Sequence, residues 1–95
     1  MIVFGYVRQY QYANDGTLLI QVRIPQIHGP YNITEARGTQ LKTYTQDDDL
    51  PWCQSVLLPH LPVRGEVVML SSMNQTANNW VVLGLTGASY SSQKG

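Results

Sequence analysis

An all-β domain is what this sequence predicts, and three observations carry the prediction. Five segments rich in β-branched and aromatic residues follow one another, each closed off by Gly, Pro, Asn or Asp. The second of them alternates apolar and polar residues at the period of a strand. Nothing in the pattern requires a helix of ordinary length.

The elements read in order as follows. Ile2 to Tyr12 is a long first strand, and Gly5 within it permits the bend that a small closed sheet needs. Ala13-Asn14-Asp15-Gly16 is a turn, with Asp-Gly suited to the positive φ angles of a tight hairpin. In Thr17 to Pro25, Leu18, Ile20, Val22 and Ile24 share one face. Thr17, Gln21 and Arg23 share the other, with Leu19 the exception, so this is a half-buried strand paired to the first. Residues 26–50 form a long irregular loop, with room for a short helix near Thr34 to Arg37.

The third strand is Trp52 to Leu58, entered through Leu50-Pro51. Pro59, Pro62 and Gly65 break the chain before a fourth strand, Glu66 to Ser71. Gly65 and Gly84 read as turns or close backbone approaches. Asn74 to Asn79 is a polar turn, and Trp80 to Leu85 is the fifth strand. Residues 1–86 therefore read as the folded unit, and 87–95 as a flexible C-terminal tail rich in Ser, Gly and Gln.

A long first hairpin, five strands and a long loop between strands two and three fit an OB-fold-like barrel. A five-stranded SH3-like barrel is the main rival on pattern alone. The expected core is Val3, Val7, Leu18, Ile20, Val22, Ile24, Val67, Met69 and Val82. Trp52 and Trp80 begin strands and are expected in the core or at a barrel end.

Ninety-five residues suggest one domain of modest stability unless partners help. Charged residues make up 13%, against about a quarter in a typical domain, and the net charge is zero. Such a chain has little long-range pull on a phosphate backbone, and it suits life inside an assembly. Cys53 is the single cysteine, which excludes an internal disulfide. No apolar run approaches the roughly 18 residues of a membrane span. The start, MIVFGYV, lacks a basic region and a cleavage site, so no secretory signal is expected.

Four motifs are more specific than the architecture. They are Val22-Arg23-Ile24-Pro25-Gln26-Ile27-His28-Gly29-Pro30, Leu50-Pro51-Trp52, Gly65-Glu66-Val67-Val68 and Val81-Val82-Leu83-Gly84. In this order and spacing they resemble the OB domain of the central spike in contractile tail baseplates. That family includes the cell-puncturing spike of T-even phages and the VgrG spikes of type VI secretion. The resemblance implies a homotrimeric collar that links the tail hub to a spike or tip protein. It implies location in the virion baseplate, with assembly in the host cytoplasm. This chain carries neither a lysozyme domain nor a repetitive β-helix after residue 87, so the resemblance extends to the adaptor role only.

Catalysis finds little support. His28 and Cys53 are 25 residues apart and His60 is seven further on, which matches no zinc-ligand spacing. Cys53 in a strand reads as a buried small hydrophobe. Asp47-Asp48-Asp49 lacks the alternating oxygens of a calcium loop and reads as a solvated run. No enzyme activity, cofactor or metal is expected, and no residue favours an effector or toxin module.

Single-stranded nucleic-acid binding is the alternative function. Phe4, Tyr6, Arg8, Tyr10 and Tyr12 recur at every second position, which sets rings about 6.7 Å apart on one face. Yet only Arg8 accompanies that stripe, and Arg37 and Lys42 lie in the loop with three aspartates. Aromatic residues are equally suited to protein contacts. The stripe, together with Ile27, His28, Tyr31, Tyr44 and Trp52, is therefore the expected protein interface.

Overall fold

The computed structural model describes residues 2–72 and 80–90. Five strands are present: β1 (Ile2–Tyr12), β2 (Leu18–Arg23), β3 (Trp52–Ser55), β4 (Glu66–Ser72) and β5 (Trp80–Ser89). They form one mixed sheet that closes into a ring in the order β1-β2-β3-β5-β4, with β4 returning to β1. All neighbours are antiparallel except β3 and β5. The protein is thus mostly β, as its strand-like segments predict.

The first hairpin forms at the expected turn, but of the Asp-Gly pair only Gly16 takes a positive φ. Gly16 takes φ +88°, a region open to glycine, and Asp15 Oδ1 accepts the Thr17 N–H at 3.0 Å. Inside the ring lie Val3, Val7, Ile20, Val22, Ile24, Cys53, Val68, Leu70, Trp80 and Val82. Leu18 packs against them from a half-buried position. Trp80 is buried, whereas Trp52 stands partly exposed on the outside.

Two expected core residues are on the wrong face. Val67 and Met69 are half-buried outside, and Val68 and Leu70 point in. Pairing decides this: Val68 lies opposite Gly5 and Leu70 opposite Val3, both inward on β1. The run Val67-Val68-Met69-Leu70 is apolar on both parities, so alternation had nothing to discriminate.

β1 carries a bulge at Arg8. Val7 pairs with Val22 and Gln9 with Gln21, so β1 has one residue more than β2. Gly5 serves a different purpose from the expected bend. A Cβ there would lie 3.0 Å from both Arg23 O and Leu70 Cδ1, so glycine allows close approach.

β2 is not half-buried. From Ile20 onward every residue is covered, Gln21 and Arg23 included. The cover is the segment between β2 and β3, which is far from structureless. It holds helical turns α1 (Pro25–His28) and α2 (Gln40–Thr43), and 3₁₀ turns at Ile33–Glu35 and Asp47–Asp49.

β3 stops at Ser55, short of the expected Leu58, and its last ladder bond is Val56 N–H to Val82 O at 3.0 Å. β5 runs past Leu85 to Ser89, where Ser89 pairs with Glu66. Tyr90 N–H then donates to Gly65 O at 2.6 Å. Residues 87–89, expected in the tail, therefore belong to β5, and Tyr90 is tied to Gly65 just beyond it. The expected turn at Asn74 to Asn79 and residues 91–95 lie outside the described residues.

Candidate functional site

Two arginines fasten the covering loop to the sheet. Arg23 ends β2 on its outer face and is 0% exposed. Its Nη1 donates to His28 O at 2.7 Å, and its Nη2 to Thr45 O at 2.6 Å and Asp47 Oδ1 at 2.8 Å. Arg8, at the bulge, is 5% exposed, and its Nη2 donates to Asp47 Oδ2 at 2.7 Å. Each oxygen of Asp47 thus serves one guanidinium. Gln21 Nε2 adds bonds to Asp47 O at 2.8 Å and Leu50 O at 3.3 Å.

Tyrosines cover the guanidinium faces. Arg8 lies over Tyr31 at 4.4 Å and Arg23 over Tyr44 at 4.3 Å. Tyr31 stacks on Tyr90 with centroids 3.9 Å apart, and Tyr6 meets both rings edge-on at 5.2 and 5.5 Å. Tyr90 Oη donates to the Glu35 carboxylate. A pocket of about 250 Å³ opens beside this cluster, walled by Arg8, Tyr31, Tyr44 and Asp47 with Asn32, Thr34 and Gln46.

Partial burial works to raise the Asp47 carboxyl, but Arg23's hydrogen bond and the charge of Arg8 outweigh it. The result lies below the ordinary carboxylate value. His28 is pushed down to about 4, by burial first and then by the Arg23 charge. Its Nδ1 accepts the Ile24 N–H at 2.9 Å, as a neutral imidazole can. Burial pushes the Cys53 thiol up to about 12, so it stays protonated at neutral pH.

A second feature lies elsewhere on the ring. An open groove of about 500 Å³ is lined by Tyr12, Leu18, Val56, Leu57, Leu58 and Leu61, with Ser55 and His60 as its polar members. Leu57 is 99% exposed there.

The structure disperses the expected interface. The bulge at Arg8 splits the aromatic stripe. Phe4 and Tyr6 pair with Met69 and Val67 on the outer face. Tyr10 and Tyr12 pair with Ile20 and Leu18, on the parity that faces the core. They escape burial only because β1 overruns the ring there, and their rings meet edge-on at 6.2 Å. Arg8 and His28 are buried, so neither belongs to an exposed contact face, and Arg8 borders only the pocket. Tyr31 and Tyr44 are half-buried over the arginines. Phe4, Ile27 and Trp52 remain exposed at separate places.

Three participants escaped sequence reasoning: Asp47, Arg23 and Tyr90. Asp47 read as part of a solvated triplet, and its side chain is indeed 48% exposed, but its carboxylate holds both arginines. The available signal was Arg23 on the polar face of β2, with an acidic run in the loop that follows.

Among the described residues, no group of three or more His, Cys, Asp or Glu is placed to hold a metal ion. No helix among them is long and apolar enough to cross a membrane. Compared with protein-family models, curated proteins and solved structures, the chain matches none of them.

Proposed function

We propose that this chain is a non-enzymatic OB-type barrel that acts as a structural adaptor in the baseplate of a contractile phage tail or a related injection machine. The observation that carries the reading is the open apolar groove around Leu57, beside the exposed Tyr10 and Tyr12. An exposed apolar patch of this kind marks a contact with another protein. The closed ring of five strands, with a hairpin first and a long excursion before β3, supports the OB-type reading. The ordered motifs quoted above supply the baseplate context, the homotrimer and the hub and tip partners.

Single-stranded nucleic acid is the less favoured ligand. An OB surface that tracks phosphates needs free cations beside its aromatic rings. Here Arg8 and Arg23 are buried and share Asp47, so they form no exposed cationic track beside the rings.

Light scattering on the purified protein, alone and mixed with the baseplate hub protein of the same tail, tests the proposal. A trimer or a stable complex is expected. A strict monomer that ignores the hub would overturn the adaptor reading. Salt-sensitive quenching of tyrosine or tryptophan fluorescence by an oligonucleotide would favour the alternative.

A further inference from the structure

We propose that the pocket of about 250 Å³ beside Arg8 is a binding site for a carboxylate, which pairs with the buried guanidinium of Arg8.

The first reason is charge. Arg8 and Arg23 are both more than nine-tenths buried. Among the described residues, Asp47 is the only carboxylate within ion-pair distance of either. His28, which also faces Arg23, is neutral near pH 7 because burial, helped by the Arg23 charge, holds its pKa near 4. The cluster therefore carries one positive charge more than it balances, in a place where unbalanced charge is costly.

The second reason is unfilled donors. The Nε–H of Arg8 is buried and has no acceptor. Its Nη1 has only a long bond to Tyr31 O at 3.4 Å. Arg23 Nε also lacks an acceptor, but Arg23 does not line the pocket. Buried donors in proteins are normally satisfied, so the under-bonded Nη1 of an arginine that lines the pocket points to an acceptor supplied from outside.

The third reason is shape. A guanidinium presents paired N–H groups in a plane that matches the two oxygens of a carboxylate. A single negative charge would balance the excess, whereas a dianion would overshoot it and meet Asp47 at close range. Tyr31, Ile33 and Tyr44 contribute apolar lining, and Asn32, Thr34 and Gln46 provide polar groups that can orient a short chain. A water takes about 30 Å³ of liquid, so the pocket has space for several heavy atoms.

The chemistry is the same for a free small carboxylate and for the Glu or Asp side chain of a partner protein. The test titrates ¹⁵N-labelled protein with sodium acetate, with N-acetylglutamate amide, and with sodium chloride at matched ionic strength. The readout is the arginine Nε–Hε resonances, with Arg8 assigned by its disappearance in Arg8→Lys.

Both carboxylates should shift the Arg8 signal saturably, with Kd about 1–10 mM, as befits one charge-assisted pair. Chloride should not. Tighter binding of the glutamate derivative assigns the site to a partner's side chain, and equal binding assigns it to free carboxylates. Arg8→Lys, which keeps the charge and loses the fork, should weaken acetate binding at least about tenfold, read on neighbouring backbone amides.

If Arg8→Lys fails to fold, Thr34→Trp takes its place. Thr34 is exposed at the pocket wall, and an indole there should block the pocket and abolish the shift. No saturable shift with either carboxylate, an equal shift with chloride, or an undiminished shift in Thr34→Trp would overturn the proposal.

Discussion

Arg23 and Asp47 lie 24 positions apart in sequence and meet through an Nη2–Oδ1 contact of 2.8 Å. This contact joins the end of β2 to the last turn of the loop that covers it. With the second Asp47 oxygen on Arg8, three elements are tied at one carboxylate: β1, β2 and the loop. Two expectations follow from this cluster, and two more from the sheet and its groove.

Replacement of Asp47 should destabilise the fold. Asp47→Ala leaves two buried guanidiniums without a counter-charge, although the half-exposed carboxylate is partly screened by water. A loss of about 2–3 kcal/mol is expected, read as a lower urea midpoint. Asp48→Ala, in the same acidic run but without an ion pair among the described contacts, should cost no more than about 0.5 kcal/mol. Equal losses in the two variants would mean that Asp47 acts merely as part of an acidic run.

Stability should fall as the pH drops from about 6.5 toward about 4. His28 has its folded pKa depressed to about 4 from 6.5, so in this window the unfolded chain binds a proton that the folded one refuses. Protons bound only by the unfolded state make stability rise with pH, so acid lowers it, by about 3 kcal/mol across the window. Asp47 adds to the loss further down. Its folded pKa is below 3.8, so its contribution is present above that value and disappears as pH falls through the folded one. His28→Gln keeps an acceptor for the Ile24 N–H and removes the titration. Urea midpoints of this variant should be nearly flat between pH 6.5 and about 4.5, where the parent protein slopes.

Gly5→Ala should cost about 1–3 kcal/mol. The added methyl meets the backbone oxygen of Arg23 at 3.0 Å, and backbone cannot step aside as a flexible side chain can. Gly84→Ala provides the contrast, since a Cβ there meets nothing within 4 Å. Thermal unfolding should separate the two, with the Gly84 variant at or above the parent Tm.

Leu57→Asp should leave stability unchanged within about 0.5 kcal/mol, because the side chain is almost fully in water. The same variant should weaken self-association or hub binding, measured by light scattering at a series of concentrations. An unaltered assembly state would remove the groove from the contact surface.

Much of this protein is legible in its sequence. The β class, the first hairpin and its turn, and the inward set of β2 follow from alternation and turn chemistry, which act over a few residues. The burial of Cys53 follows in the same way. Tertiary structure alone decided the rest. The parity of β4 was open because Val67-Val68-Met69-Leu70 is apolar at every position, and only pairing with Val3 and Gly5 settles it. The aromatic stripe of β1 was broken by one extra residue at Arg8, which becomes visible only against β2. The outer face of β2 read as solvent-facing until the loop covered it, which turned Arg23 from a surface charge into a buried one paired with the half-exposed Asp47. Periodicity reports which way a side chain points, and what lies there is set by residues far along the chain.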